Sequence, residues 1–431
     1  MNVRPDALPA ALSPLPQAPL CVGYSGGLDS TALLHALAAL PAARERGLRA
    51  WHVHHGLHEH ADAWAAHCQS ACDALGIALT VSHVEVAPRG QGREAAARHA
   101  RYAAFVDGLG DDEVLVLAHH RDDQAETFLL RALRASGPDG LGAMRRWRDF
   151  GRGRLWRPLL QAPRTVLETY ARENHLQWID DPSNTDLSLD RNFLRARVLP
   201  VLRERWPHAD AALAASAALC EQVGTLLDVG DAEALAAAAT GAPSMLSLPA
   251  LQRLPPARRA RVLRRWVAGL GLPALPAAGI EQIEHCLLDA PIDGDATFVW
   301  HGAAVRVWRD LLHAGPLQQP LPTQWQVPWD GGTPLELPGG ESLALVGADR
   351  FDEIVTAHPR RGGERIVLPG RKHSHALKHV LQDLGVPPWE RTRMPLLSAA
   401  DGEVLAAADR VYCARFDRWL RERDARIEWR R

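Results

Sequence analysis

The chain has 431 residues, 47% of them hydrophobic and 23% charged, with a formal net charge of −2. That is enough for two to four domains with cores of their own, and the composition is neither that of a disordered chain nor that of a small disulfide-stapled module. No run of about 18 uninterrupted apolar residues stands ready to cross a bilayer. The first twenty residues, with five prolines and Asp6, also break the basic-then-apolar order of a signal peptide. The expected location is therefore the cytoplasm. Six cysteines with no C-x-x-C pair imply reduced thiols. Of 49 cationic side chains only Lys372 and Lys378 are lysines, so the position of arginine clusters says more than their number.

Residues 20–25 read as a short buried strand running into glycines, and Ser30–Leu40 as a helix with Leu33, Leu34 and Leu37 on one face. Strands at Leu48–His54, Ile77–Val84 and Val114–Ala118 then alternate with helices at Glu59–Leu75, Arg93–Leu109 and Asp122–Leu133. Such alternation predicts an α/β domain over 1–209, its parallel sheet covered on both faces and its ligand beyond the carboxyl ends of the strands. Helical segments at Ala211–Leu227, Asp231–Ala239 and Ala257–Leu270, with a strand at Ala303–Trp308, predict a mostly helical domain over 210–315. A Pro/Gly-rich stretch, 316–345, reads as a linker with short edge strands, and 346–431 as a small mixed α/β domain.

Ser25-Gly26-Gly27-Leu28-Asp29-Ser30 falls between the first strand and the first helix. Glycines there let bare N–H groups approach phosphate oxygens, and the helix start turns its positive dipole end to the same anion. No lysine follows, so this is not the loop that holds a γ-phosphate for transfer. A glycine turn with a serine cap is the plainer alternative. The loop resembles that of the ATP-pyrophosphatase (PP-loop) superfamily, whose members cleave ATP between the α and β phosphates.

His119-His120-Arg121-Asp122-Asp123-Gln124-Ala125-Glu126-Thr127 directly follows the strand Val114–Ala118. Asp123, Glu126 and Thr127 share a helix face, so carboxylates gather where phosphates and Mg²⁺ would lie. Stabilisation of the helix N-terminus accounts for one of these acids, but not for the histidine pair. A zinc site built from His52, His54, His55, His58 and His60 is a weaker alternative, because His52 and His54 fall on a strand, the others in its exit loop, and no cysteine accompanies the run.

These motifs, with His54-His55-Gly56, Gly92-Arg93-Glu94 through Arg98, Arg101 and Tyr102, Arg157-Pro158-Leu159, Asp180-Asp181-Pro182-Ser183-Asn184 and Arg191-Asn192-Phe193-Leu194-Arg195, resemble the tRNA(Ile)-lysidine synthetase family. Near the far end, Arg360–Arg365, Gly370–His375 and Pro387-Pro388-Trp389 resemble the C-terminal domain of its longer bacterial members. The resemblance implies ATP and Mg²⁺, free L-lysine, and the CAU-anticodon isoleucine tRNA as partners, with a homodimer as an assembly to test. In the implied reaction the wobble cytidine is adenylated at O2 and lysine then displaces AMP at C2.

On this resemblance Ser25, Gly26, Gly27, Leu28, Asp29, Ser30, His54 and His119 bind ATP. Asp29, Asp122, Asp123, Glu126 and Arg195 form the catalytic set, with Asp29 and Asp123 as the metal pair. Asp122 and Glu126 are the candidates for lysine's ammonium, and Asn184, Arg191 and Asn192 for lysine or base recognition. A tRNA cytidine thiolase of the same superfamily would need cluster-binding cysteines, and a GMP-synthetase relative an ammonia source. A non-catalytic RNA-binding protein would not need the acids.

Three basic clusters fit an RNA partner: Arg145–Arg157, Arg253–Arg265 and Arg360–Lys378 each hold six cations against at most one acid. Trp147, Trp156 and Trp266 interleave with the first two as candidate stacking rings. The tRNA-binding candidates are Arg145, Arg146, Arg258, Arg259, Arg360, Arg361, Arg371, Lys372 and Lys378.

Overall fold

The computed structural model describes residues 7–86, 93–287 and 296–430. Gly92 of the quoted motif lies outside them, as do the side chains of Arg93 and Glu94. The chain divides into two compact units, Met1–Asp228 and Val229–Arg431.

The first unit is built on β1 (Leu20–Gly23), which runs parallel to both β2 (Leu48–His54) and β4 (Val114–Val116). With β3 (Ala78–His83), β5 (Trp147–Phe150) and β6 (Gly153–Trp156) the sheet order is β3-β2-β1-β4-β6-β5. Successive residues of β1 feed opposite faces: Leu20 and Val22 enter one core, Cys21 the other, all fully buried. That two-sided burial is why the strand reads as a continuous apolar run. Helices α1 (Leu28–Ala38) and α2 (Ala61–Leu75) cover the first face, and α3 (Arg93–Gly108) brings Phe105 to the second. The direction of winding reverses between β1 and β4, which opens a crevice at their carboxyl ends. The glycine loop leaves β1 there, and α4 (Arg121–Ala132) starts there after β4.

The hairpin β5–β6 replaces what the sequence suggested was an RNA-facing basic segment with free rings. Trp156 is 1% exposed and stacks on Trp147 at 5.5 Å, while Arg154 lies 4.7 Å over the Trp147 ring. Both tryptophans are packing groups, and Arg157 is buried as well. Further along, α5 (Arg164–Glu173) precedes an arm made of α6 (Asp190–Phe193), a π turn at Leu194–Val198 and α7 (Leu199–Arg205).

One continuous helix, α8 (Ala209–Ala238), joins the two helical segments expected at 211–227 and 231–239. By length and composition alone it is apolar enough to span a bilayer, although acids such as Glu221 and Asp228 interrupt it and it is not an uninterrupted apolar run. The second unit holds the antiparallel sheet β7 (Met245–Ser247), β10 (Leu311–Pro316), β9 (Ala303–Trp308), β8 (Thr297–Trp300), in that spatial order. Helix α9 (Pro256–Gly269) buries Val262, Leu263, Trp266 and Val267 against it. The remaining strands form a five-stranded sheet around Val355–His358 and Leu396–Ser398, a three-stranded sheet and a two-stranded ribbon, Arg365–Ile366 with His375–Ala376.

Candidate active site

The glycine loop is held by its own hydroxyls. Ser30 is buried, donates to the Gly27 carbonyl at 3.1 Å and meets the Ser25 hydroxyl at 3.0 Å. Thr31 donates to the Gly26 carbonyl at 3.2 Å. Gly26 has φ +81°, and a Cβ on it would stand 2.5 Å from Ile179 Cδ1 and 2.9 Å from Cys68 Sγ. Only glycine fits both the turn and the space. Helix α1 begins at Leu28, two residues before the expected start, and its N-cap Gly27 supplies no side-chain cap. The first-turn N–H groups are therefore left for an anion.

His120 organises the opposite wall. It is 1% exposed and caps α4, with its Nδ1 accepting from the Asp123 N–H at 3.4 Å while Asp123 accepts from the His120 N–H at 3.0 Å. Its Nε2 lies 3.6 Å from Asp29 and 3.4 Å from Asp123. Burial opposes charge on this ring, but Asp29, Asp123 and Asp122 together hold its pKa above the ordinary value. Burial likewise opposes charge on Asp123, yet His120, His119 and Arg191 bring its carboxyl down to about 2. His119 goes the other way, pushed down to about 3 by burial, and its Nδ1 accepts from Arg157 Nε at 3.3 Å. It is thus a neutral ring with the proton on Nε2.

Each acid is met by an arginine from the following segments. Glu126, 1% exposed at its side chain, accepts from Arg191 Nε at 2.8 Å and from Arg195 Nε at 2.7 Å. Arg195 also reaches Asp123 at 3.4 Å. Asp122 accepts from the Arg164 N–H at 3.1 Å and from Arg203 Nη2 at 3.1 Å. Asp29, with a side chain 33% exposed, has Arg164 Nε at 3.5 Å and is the most open of the four acids. The arginines 191 and 195 share a face one turn apart, immediately before and within the π turn.

The structure brings Asp29, His119, Asp122, Asp123, Glu126, Arg191 and Arg195 together. Asn192 does something else than expected, because its amide donates to the Ser183 and Asp186 carbonyls and so pins the loop that carries exposed Asn184. Glu126 is likewise spent on two guanidiniums, so its carboxylate is not open to an ammonium as expected. His54 meets Asp62 at 3.0 Å. The histidine run does not converge: His52 bonds the Tyr24 carbonyl, and His58 stacks on Trp64. Among the described residues no group of three or more potential ligands forms a metal cage. His120, Arg164 and Arg203 have no role assigned from sequence, and Arg157 has one only as a member of a basic cluster. Only the placement of His120 before Asp122 and Asp123, as a helix cap, offered a signal.

Of the RNA candidates, Arg145, Arg146, Arg361, Arg371, Lys372 and Lys378 are exposed. Arg258 is 45% exposed beside Asp231. Arg259 is not available as expected, because Glu284 holds it through Nε and Nη2 at 2.8 and 2.5 Å. Arg360 is mostly covered and faces Glu364 at 3.6 Å.

A glycine loop without a lysine, at a sheet's reversal point and facing clustered acids, defines an ATP-binding site of the PP-loop class, and a PP-loop domain model matches residues 6–202. Two further models match the rest of the chain, a TilS substrate binding domain over 246–313 and a TilS substrate C-terminal domain over 355–429. A tRNA(Ile)-lysidine synthase of Xanthomonas campestris is 54% identical over 96% of each chain. Those of Xylella fastidiosa and Alkalilimnicola ehrlichii are 50% and 43% identical, each over 96% of this chain. The chain belongs to the tRNA(Ile)-lysidine synthase family.

Proposed function

We propose that the crevice between β1 and β4 carries out both half-reactions of lysidine formation on the CAU-anticodon isoleucine tRNA. The wobble cytosine O2 attacks the α-phosphorus of ATP, and the bond to pyrophosphate breaks. The ε-amine of free lysine then attacks C2, loses a proton, and AMP leaves with the C2–O bond. The product pairs with adenosine in place of guanosine, which changes decoding from AUG to AUA. The observation that supports this most is the meeting of the glycine loop, Asp29, His120 and Asp123 within 3.6 Å contacts at one crevice.

In this reading the loop N–H groups and the α1 N-terminus take the leaving pyrophosphate. Arg191 and Arg195, aligned by Glu126, face the phosphates or the adenylated base. Asp122, its side chain 20% exposed, faces lysine's ammonium, while His119 presents an Nε2–H donor. Three carboxylates, Asp29, Asp122 and Asp123, stand within 3.9 Å of the one His120 ring, an excess of negative charge that suits a cation. Asp29 and Asp123 fit a Mg²⁺ ion, which would bring phosphate oxygens and carboxylates together and neutralise the departing pyrophosphate. The cytoplasm is the setting this reaction needs, since ATP, lysine and tRNA meet there, and a homodimer is the assembly to test by sedimentation.

Sulfur transfer is less well supported. Cys68 and Cys72 are buried, and burial pushes their thiols up to about 12 and about 11, far from the thiolate such chemistry uses. The test is incorporation of labelled lysine into isoleucine tRNA, dependent on ATP and accompanied by AMP. Sulfur incorporation, or pyrophosphate release without lysine transfer, would overturn the reading.

A further inference from the structure

The chain has 14 Trp, 7 Phe and 4 Tyr, and among the described residues only Phe193 and Trp206 have exposed rings, at 46% and 58%. Both belong to the arm 190–206, which also supplies Arg191, Arg195 and Arg203 to the acids of the crevice. Phe193 is two residues from Arg191 and from Arg195, about 200° around a helix, so it leaves on the side opposite the Glu126 pair. The same outward side carries exposed Arg197, and Val201 at 62% exposure. Arg205 lies 5.8 Å from the Trp206 ring. Over 190–206 there are five arginines against two acids.

Exposed apolar side chains also line α8, where Leu219, Leu226 and Val229 are 61%, 80% and 67% exposed. That helix has five acids and no lysine or arginine, so it repels a polyanion. The arm has the opposite character. Rings beside unoccupied guanidinium groups are what unpaired nucleotides need, since every base offers a π-face and every link a phosphate.

We propose that the outer face of this arm, formed by Phe193, Arg197, Val201 and Trp206, is a stacking platform for the unpaired nucleotides next to the reacting base of the tRNA. This rests on the reading that the crevice modifies a base in an RNA loop. A loop that delivers one base to the inner side of the arm must lay its neighbours over a helix only about 10–12 Å across. The two faces of the arm then divide the work: the inner arginines face the reacting base, and the outer rings hold the nucleotides beside it.

The experiment measures tRNA affinity and the KM for tRNA of Phe193→Leu, Phe193→Tyr, Trp206→Leu and Trp206→Phe. The leucine variants should bind about five- to thirtyfold more weakly, and the aromatic ones within about twofold of the parent chain. ATP affinity without tRNA reports whether the glycine loop is intact. Arg197→Gln should lower the slope of log affinity against log salt by about 0.7, independently of any folding defect in the ring variants. An anticodon stem-loop carrying 4-thiouridine beside the wobble position should photo-crosslink within 190–206. Leucine and aromatic variants that bind alike, an unchanged salt slope with crosslinks elsewhere, or a changed oligomeric mass with unchanged RNA affinity would overturn the proposal. If the parent chain forms no lysidine, the functional reading fails. If it does and the variants bind normally, this inference alone fails.

Discussion

Replacing Glu126 with Gln isolates the contact on which the arm depends. Losing one partner of a buried ion pair costs about 3–5 kcal/mol, whereas an exposed pair is worth about 0–1 kcal/mol. Glu126 is 1% exposed, but Arg191 and Arg195 are 26% and 34% exposed, so water can re-solvate the guanidiniums once the charge is gone. Glutamine also keeps one acceptor oxygen. The expected loss is therefore about 2 kcal/mol, between what an exposed pair and a fully buried pair cost. In a unit the size of Met1–Asp228 that corresponds to a fall in Tm of about 4–8 °C. Calorimetry on the full chain would measure it, alongside lysidine formation, which should fall with both half-reactions because both arginines lose their alignment. Arg195→Ala and the double variant complete a cycle whose stability losses should be less than additive. Additive losses, or a Tm within about 1 °C of the parent chain with normal turnover, would mean that Glu126 does not hold the arm.

Asp29→Asn should abolish AMP formation while tRNA affinity stays within a few-fold, because this carboxylate faces the triphosphate and not the RNA backbone; normal AMP release would refute the assignment. Gly26→Ala should cost about 1–3 kcal/mol and weaken ATP binding, since its Cβ meets Ile179 and Cys68 at a φ of +81°; calorimetry and nucleotide titration read both. His119 keeps a pKa near 3 against an ordinary 6.5, so below pH 6.5 unfolding takes up a proton there and stability is lost as pH falls from 6.5 toward 3. His119→Gln should therefore flatten the acid side of a Tm–pH curve. Neutralising Arg371 and Lys372 should reduce the salt dependence of tRNA binding by about 0.7–0.9 in log–log slope for each phosphate no longer neutralised, with less effect on turnover at saturating tRNA.

The parallel sheet was legible because each strand's burial is written locally. Leu48–His54 matches the observed strand end to end, and Leu20, Cys21 and Val22 are apolar in succession because β1 is covered on both faces. The β5–β6 hairpin was not legible. Its strands are only four residues each and carry Arg148, Arg152 and Arg154 in or beside them, so charge hid the alternation that puts Phe150, Leu155 and Trp156 inside. The same bias made Trp147 and Trp156 look available to RNA, although a cation over a ring is just as compatible with a packed hairpin face.

The candidate site was legible as membership but not as division of labour. The spacing of Asp122, Asp123 and Glu126 puts them on the first turns of one helix, and nothing within that stretch says which carboxylate remains open. Their states are decided by residues 42 to 81 positions away: the Arg164 N–H and Arg203 on Asp122, Arg191 and Arg195 on Glu126. The arginine clusters fail for the same reason. Arg259 lies in a stretch free of acids, yet Glu284, 25 positions on, takes its charge, while exposed Arg371 and Lys372 keep theirs for a partner. Local charge is therefore a poor guide to which cations an RNA can reach. What decides it is whether the fold returns an acid to each arginine, and on the outer face of the arm Arg197 stays exposed beside an exposed Phe193.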